Sequence, residues 1–359
     1  MITVLPGREL SPSLAQKWRV LQAVNPSLSS PYFCPEFTSA VAEVREDVFF
    51  AIIEDQGSIA GFFPFQRQGR WGQPVGSIIS DFQGIICRPE LEINVPRLLK
   101  ACRLHAFDFG RMLTAQPGFA PYARGLECSP RIDLNGGFAA YVAGRRRAGS
   151  EQIKKCGNLG RKLEREVGPL HFVAHSEDPV LLSNLLNWKS AQYARTDYYD
   201  LFNVAWVRGL VERIHATQTK SFAGSLSLLY AGESLIAGHF GMRTPSVWHY
   251  WFPAYDIRFA QYSPGLQLLL KMAEHAAAIG VHHIDLGEGM SLYKERLMNT
   301  RAMLGYGSAE VPSLLMLKRT LGRLIWAMGR RAVLNSPIEA PVRKILQAHR
   351  QRSTAKLAG

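Results

Sequence analysis

Between Trp188 and Lys294 the chain concentrates side chains able to bind, polarise or deprotonate a substrate. Asp285-Leu286-Gly287-Glu288-Gly289 closes an apolar run, and Tyr293-Lys294 follows. Ligands of open α/β sheets bind beyond the carboxyl ends of strands. That position lets Asp285 or Glu288 take a proton or hold a polar substrate, and lets Lys294 steady an oxyanion or a phosphate. A capping acid and a surface lysine are the plainer reading of the same residues. His239, His249, Trp251 and Tyr255 lie on two successive apolar runs. Residues two apart on a strand share a face, so His249 and Trp251 point together. A histidine there serves either as a general base or as core. Trp188, Gln192 and Arg195 recur at i, i+4 and i+7, a spacing that lines a substrate cleft or packs the Trp inward and solvates the Arg. Tyr262-Ser263-Pro264-Gly265-Leu266 enters an amphipathic helix. A helix N-terminus offers unpaired N–H groups to a phosphate or pyrophosphate, and Gly265 permits close approach. The same Pro and Gly also simply start a helix, and the stretch is neither a Walker loop nor a GxGxxG fingerprint. His282-His283 lacks a third ligand at helical spacing, so no metal site is expected.

The elements that must position these groups are legible as alternating apolar patterns. Residues 11–24 read as a helix capped by Ser11, and 35–42 as a second short one. Residues 48–53 and 59–66 form a hairpin around Asp55-Gln56-Gly57-Ser58. Residues 75–87 read as a further strand region and 91–107 as a helix. A basic helical stretch spans 145–166 and ends at Gly168-Pro169. Strand 170–174 is followed by helices 179–194 and 204–217. Strands 226–230, 235–243 and 247–252 then lead to the strong helix 264–279, stopped by Gly280. Strand 281–286 comes next, and a short helix around Tyr293.

A repeat links the two halves. Ile59-Ala60-Gly61-Phe62-Phe63 and Ile236-Ala237-Gly238-His239-Phe240 share I-A-G-x-F, each after an apolar strand and a polar turn. Two related α/β halves are expected, residues 1–145 and 146–310, followed by a tail, 311–359.

The composition frames what such halves can do. With 47% hydrophobic and 20% charged residues over 359 positions, the chain has ample material for a core and is not of disordered composition. No apolar run reaches the ~20 residues of a membrane span, and no secretory signal is read at the start. Five scattered cysteines without CxxC spacing fit free thiols in a reducing cytosol. The net charge of +13 points to anionic partners, or to solvated helix faces where it clusters. Ten Lys or Arg against one acid follow from Lys318 onward. In the tail, Leu314, Leu317, Leu321, Leu324 and Met328 interleave with Lys318, Arg319, Arg323 and Arg330. This reads as a basic amphipathic helix suited to an anionic membrane surface, or docked on the domain with its basic face outward. Nothing resembles a helix-turn-helix, RRM or OB pattern, so nucleic acid is not an expected partner.

Several segments taken in order carry a resemblance. These are W-K-x-x-Q-Y-x-R-T from Trp188, L-I-A-G-H-F-G-x-R from Leu235, W-H-Y-W-F-P-A-Y-D from Trp248, Y-S-P-G-x-x-L-L from Tyr262, and I-D-L-G-x-G-x-x-x-Y-K from Ile284. Together they resemble the CelD-type branch of the GNAT acyltransferases, associated with bacterial cellulose and exopolysaccharide biosynthesis and related to the tandem FemABX transferases. The match covers about residues 150–295. The resemblance implies an α+β fold of two GNAT-like domains, each a mixed, mostly antiparallel sheet flanked by helices. It implies an acyl donor, acetyl-CoA first, with its pyrophosphate at Tyr262, Ser263, Pro264, Gly265 and Leu266. The acceptor would be an amine or hydroxyl of a sugar or lipid-linked saccharide, met by Trp188, Gln192, Arg195, His249, Trp251, Tyr255, Glu288 and Tyr293. Lys294 matches a lysine that supports acyl transfer in FemABX relatives, and Asp285 and His239 are the candidates for the base. Transfer would be direct and metal-free, in the cytoplasm or at the periphery of the inner membrane. The donor loop departs from the Q/R-x-x-G-x-G/A pattern, which leaves aminoacyl-tRNA as an alternative donor and a non-catalytic binding module as a third reading.

Overall fold

The computed structural model of the chain describes residues 1–312; the tail expected from 311 onward lies outside the described residues apart from its first two positions. Local chemistry sets the first elements. Ser11 Oγ accepts the Leu14 N–H at 3.3 Å and starts helix α1, Pro12–Ala23, whose first residue is the expected proline. Helix α2 runs Pro35–Val44. Strands β1 Ile2–Pro6, β2 Val48–Asp55, β3 Ser58–Gln68, β4 Trp71–Gln73, β5 Ile86–Cys87, β6 Ala106–Leu113 and β7 Ala123–Asp133 come from the first half, with helix α3, Val95–Ala101. Helices α4 Gly137–Arg147, α5 Gln152–Glu166, α6 Pro179–Arg195, α7 Ala205–Ala216, α8 Pro264–Ala278 and α9 Leu292–Leu297 belong to the second half or join it. Its strands are β8 Leu170–Val173, β9 Ala223–Ala231, β10 Ser234–Arg243, β11 Val247–Tyr255, β12 His283–Asp285 and β13 Thr300–Glu310.

All the strands of the described residues join one mixed sheet in the order β1-β2-β3-β4-β6-β13-β7-β12-β11-β10-β9-β8, with β5 beside β3. The order contains the same unit twice. In the first half, the meander β2-β3-β4 is followed by α3 and then β6, parallel to β4. In the second, β9-β10-β11 is followed by α8 and then β12, parallel to β11. The two I-A-G-x-F segments occupy β3 and β10, the middle strands of these meanders. The fold is therefore α+β and tandem GNAT-like.

The halves are joined by an exchange of strands. β7 leaves the first half to pair with β12, and β13 returns from the second to pair with β6. At the centre β7 and β13 pair with each other over most of their length. One hydrophobic core runs across the join: Trp18, Phe50 and Phe62 cluster with Leu210, Leu226 and Phe240. A second core lies under α8, where Leu268, Leu269 and Met272 pack on Trp248 and Ile284. Each such buried side chain contributes about 2 kcal/mol.

Three sequence expectations change. Residues 75–87 are not a continuous strand, because Gly76 and Ser77 adopt positive φ and open a loop of which only β5 is extended. The helix expected over 91–107 shrinks to α3: Asn94 caps it by accepting the Arg97 N–H at 2.9 Å, and Arg103 at φ +56 turns the chain into β6. The basic stretch 145–166 is two helices broken at Gly149.

Candidate active site

β11 and β12 pair only through Val247–His283, Trp248–Ile284 and His249–Asp285. Beyond His249 the parallel pairing stops while β11 continues to Tyr255, so the sheet splits open there. A cleft of about 340 Å³ occupies this side of the split. Gln192, Tyr255, Ser263, Gly265, Leu266 and Tyr293 line it, all named from the sequence. The start of α8 thus opens onto the cleft. Ser263 holds αL geometry, and its side chain caps none of the helix N–H groups. A Cβ at Gly265 would have only Tyr255 Cδ1 near it, at 3.6 Å, so the glycine leaves open space at the helix start. Pro264 is buried, and Tyr262 turns away, its hydroxyl donating to Glu166 on α5 at 2.6 Å.

The other predicted residues take different places. Trp188 packs on the core that spans the halves, and Arg195 ends α6 in solvent. His249 and Trp251 do share a face, both edge-on to Tyr32 with centroids 5.0 and 5.9 Å away. A bulge in β11 places Tyr250 and Trp251 opposite the single residue Gly241, and Trp251 stacks on its neighbour Phe252 at 4.5 Å. His239 is fully buried, stacked at 4.4 Å on Tyr250, and its Nε2 accepts the Trp251 N–H at 3.1 Å. Burial, with His249 and Lys189 nearby, pushes His239 well below the usual imidazole range, so it is neutral.

Asp285 and Glu288 enter a charged network built from both halves. Asp285 is buried; its Oδ1 accepts from Ser129 Oγ at 2.8 Å and the Gly287 N–H at 3.0 Å, and its Oδ2 from Arg131 Nε at 2.8 Å. Ser129 and Arg131 sit on the exchanged strand β7. His249, also buried, lies 3.1 Å from Asp81 Oδ2 and 3.8 Å from Asp285 Oδ1. Asp81 pairs in turn with Arg111 at 3.4 Å, and Arg111 donates to Glu288. Burial raises the Asp81 carboxyl, but His249 and Arg111 outweigh it and hold it below the usual range. Glu288 is pushed up to about 7, by burial first and then by Glu127 beside it. Asp81, Arg111, Glu127 and Tyr32 were missed in the sequence because they come from a loop, strands and a short helical turn of the first half, distant along the chain. No local spacing marks them.

Lys294 belongs to the same network, next to the cleft residue Tyr293 in sequence. Its Nζ donates to the carbonyls of Gly287 at 3.1 Å and Glu288 at 2.9 Å. Burial lowers it, while Asp81, Asp285 and Glu288 pull the other way. Lys189, which also lines the cleft, was passed over between Trp188 and Gln192. It is 9% exposed, and burial, then the charge of Lys294, pushes it down to about 8. A larger groove of about 450 Å³ lies between α6 and α7, lined by none of the residues chosen from the sequence. Among the described residues no group of three or more His, Cys, Asp or Glu is placed to hold a metal ion, and the five cysteines are free.

A split between parallel strands, with a helix N-terminus opening on it, is where residues 150–295 match the profile described as an acetyltransferase (GNAT) domain. Residues 150–295 are thus similar to a GNAT acetyltransferase domain. Solved structures extend the fold likeness beyond it. FemX superposes with a TM-score of 0.59 at 8% identity, over 85% of this chain and 98% of FemX. The C-terminal domain of a protein described as a lysylphosphatidylglycerol synthetase from Agrobacterium fabrum gives 0.52 at 11%, over 83% and 92%. A tandem GNAT protein from the clavulanic acid biosynthesis pathway gives 0.47 at 11%, over 87% and 100%. No curated protein matches the chain in sequence. The GNAT domain implies an acyl-CoA donor. Its match ends at 295, so β13, like the whole first half and its Asp81, Arg111 and Ser129, lies outside the matched span.

Proposed function

We propose that the protein transfers an acyl group, acetyl first, from coenzyme A directly to an amine or hydroxyl of a saccharide or lipid-linked saccharide, in the exopolysaccharide setting its sequence resemblance implies. The observation that carries this reading is the cleft where β11 and β12 part, with Ser263, Gly265 and Leu266 of the α8 start on its wall. A donor pyrophosphate is accommodated at that helix start. Lys294 stabilises the oxyanion formed at the thioester carbonyl. Asp285 and His239, each already held by hydrogen bonds, act by positioning: Asp285 fixes the Gly287 loop, and His239 fixes the bulge at Trp251. The acceptor is met from the first-half side, near Asp81 and Tyr32, with Trp251 beneath. The expected membrane contact of the tail belongs to this reading as well, and places the enzyme at the inner face of the membrane.

A thermal-shift titration with acetyl-CoA, longer acyl-CoAs and free CoA tests the donor. A ligand at ~100 times its Kd stabilises by about 2.7 kcal/mol. A saturable shift supports the reading, and none with any CoA species removes it. The second reading, a FemABX-like transferase using aminoacyl-tRNA, draws on the likeness to FemX and on the exposed cations of α5, Lys154, Lys155, Arg161 and Lys162. Retention of charged tRNA, with no shift by CoA, would favour it.

A further inference from the structure

We propose that Lys189 is the proton acceptor of the transfer reaction, its amine nitrogen held at the cleft wall by two protein oxygens. The inference rests on the acyl-CoA reading and adds to it the group that moves the proton. Lys189 Nζ donates to Gln192 Oε1 at 3.3 Å and to the Pro253 carbonyl at 3.1 Å. Both partners are acceptors. A neutral amine has two N–H groups and one lone pair, so these two bonds use both hydrogens and leave the lone pair free. The residue lines the cleft, and Pro253, on the strand that continues past the split, anchors it there.

Burial, and then the charge of Lys294, bring Lys189 down to about 8, so that a fraction of it is the neutral amine near neutral pH. Lys294 on α9 is near enough for its charge to act on Lys189, and its neighbour Tyr293 lines the cleft. Tyr250 on β11 and Tyr193 on α6 present rings, and His239 on β10 is itself neutral. Among the described residues no carboxylate pairs with Lys189. Lys294 has the opposite surroundings, with Asp81, Asp285 and Glu288 around it. Burial lowers both lysines, but only Lys294 has carboxylates around it that favour its charged form, so Lys189 is the one suited to give up and take a proton. The step balances. The acceptor nitrogen or oxygen forms a bond to the thioester carbonyl carbon and gives its proton to Lys189 Nζ. The C–S bond then breaks, and the leaving thiolate takes that proton back, which restores the amine.

Trace labelling of the full chain with acetic anhydride from pH 6 to 11, read by peptide mass spectrometry, tests this. Lys189 should label with a midpoint near pH 8, against about 10.4 for solvated lysines. Saturating acetyl-CoA should suppress its labelling alone. A midpoint with the surface lysines, or no labelling at any pH, overturns the proposal. So does labelling that acetyl-CoA leaves unchanged while it raises the melting temperature. If acetyl-CoA fails to raise the melting temperature, the donor reading fails, and the midpoint still accepts or rejects Lys189 as a neutral amine. Lys189→Arg keeps donors for both oxygens but never deprotonates. It should bind acetyl-CoA within threefold of the native chain, and thiol release should fall about 100-fold; full thiol release in this variant would also overturn the assignment.

Discussion

His249 Nε2 lies 3.1 Å from Asp81 Oδ2, and the two residues come from different halves of the chain, 168 positions apart. The imidazole is fully buried and the carboxylate side chain is 17% exposed, and Arg111 approaches the same carboxylate from β6. The span that matches the GNAT model therefore does not complete this buried charged network by itself. A charge pair from the first half closes it.

Removing that carboxylate should be costly. Breaking a buried pair by deleting one partner loses about 3 kcal/mol, so Asp81→Asn should lower stability by that order at pH 7. The Asp81 carboxyl is held below its usual range because His249 and Arg111 outweigh burial. Its contribution is thus fully present above about pH 4 and is lost as pH falls through the lower folded value. Urea denaturation in a pH series should show a large difference between native chain and variant at pH 7 that shrinks progressively as pH falls below about 4.

Glu288 works with the opposite sign. Its folded value of about 7 lies above the ordinary carboxyl, from burial and then Glu127. The folded state binds the extra proton between about pH 4.3 and 7. Stability from this group is present below pH 4.3 and declines as pH rises to 7. Glu288→Gln should flatten that decline in a pH series of melting temperatures. An unchanged slope would mean that the carboxyl ionises normally.

Lys294→Ala should reduce turnover about 10²–10³-fold, the size of losing one oxyanion donor. Acetyl-CoA affinity should move less than threefold, because no phosphate partner is removed. Thiol release and calorimetric titration separate the two. Equal turnover in the variant would take Lys294 out of the mechanism.

Gly265→Leu should fold normally, since the nearest atom to a Cβ there is 3.6 Å away. The added side chain enters the cleft at the start of α8. Affinity for acetyl-CoA should fall at least tenfold, about 1.4 kcal/mol, with the melting temperature of the free protein unchanged.

Gly241→Ala tests the bulge. A Cβ at this position would lie 2.1 Å from the His249 carbonyl oxygen and 2.6 Å from His239 Cε1. Neither group can retreat, since both histidines are buried in the sheet. A loss of about 1–3 kcal/mol is expected by overpacking, measured by thermal denaturation.

Much of the second half was legible from residue patterns alone. The proline and glycine that bound α8, the hairpin of β9 and β10, and the loop after Asp285 are local matters of backbone freedom and apolar period. The shared I-A-G-x-F marked the repeat because equivalent strands of equivalent meanders bury the same face. What the pattern could not show is β7 and β13. Each mixes polar residues with glycine or proline and is exposed over part of its length, so no two-residue apolar alternation survives in it. Their places depend on partners more than 150 residues away, which tertiary pairing alone selects. The site inherits that dependence. Asp285 and Lys294 announce themselves at the end of a strand, but Asp81, Arg111, Ser129 and Arg131 reach them only because the two halves exchange strands. Lys189 was passed over for a similar reason: its place on α6 is a local fact, whereas its desolvation beside Lys294 exists only in the folded cleft.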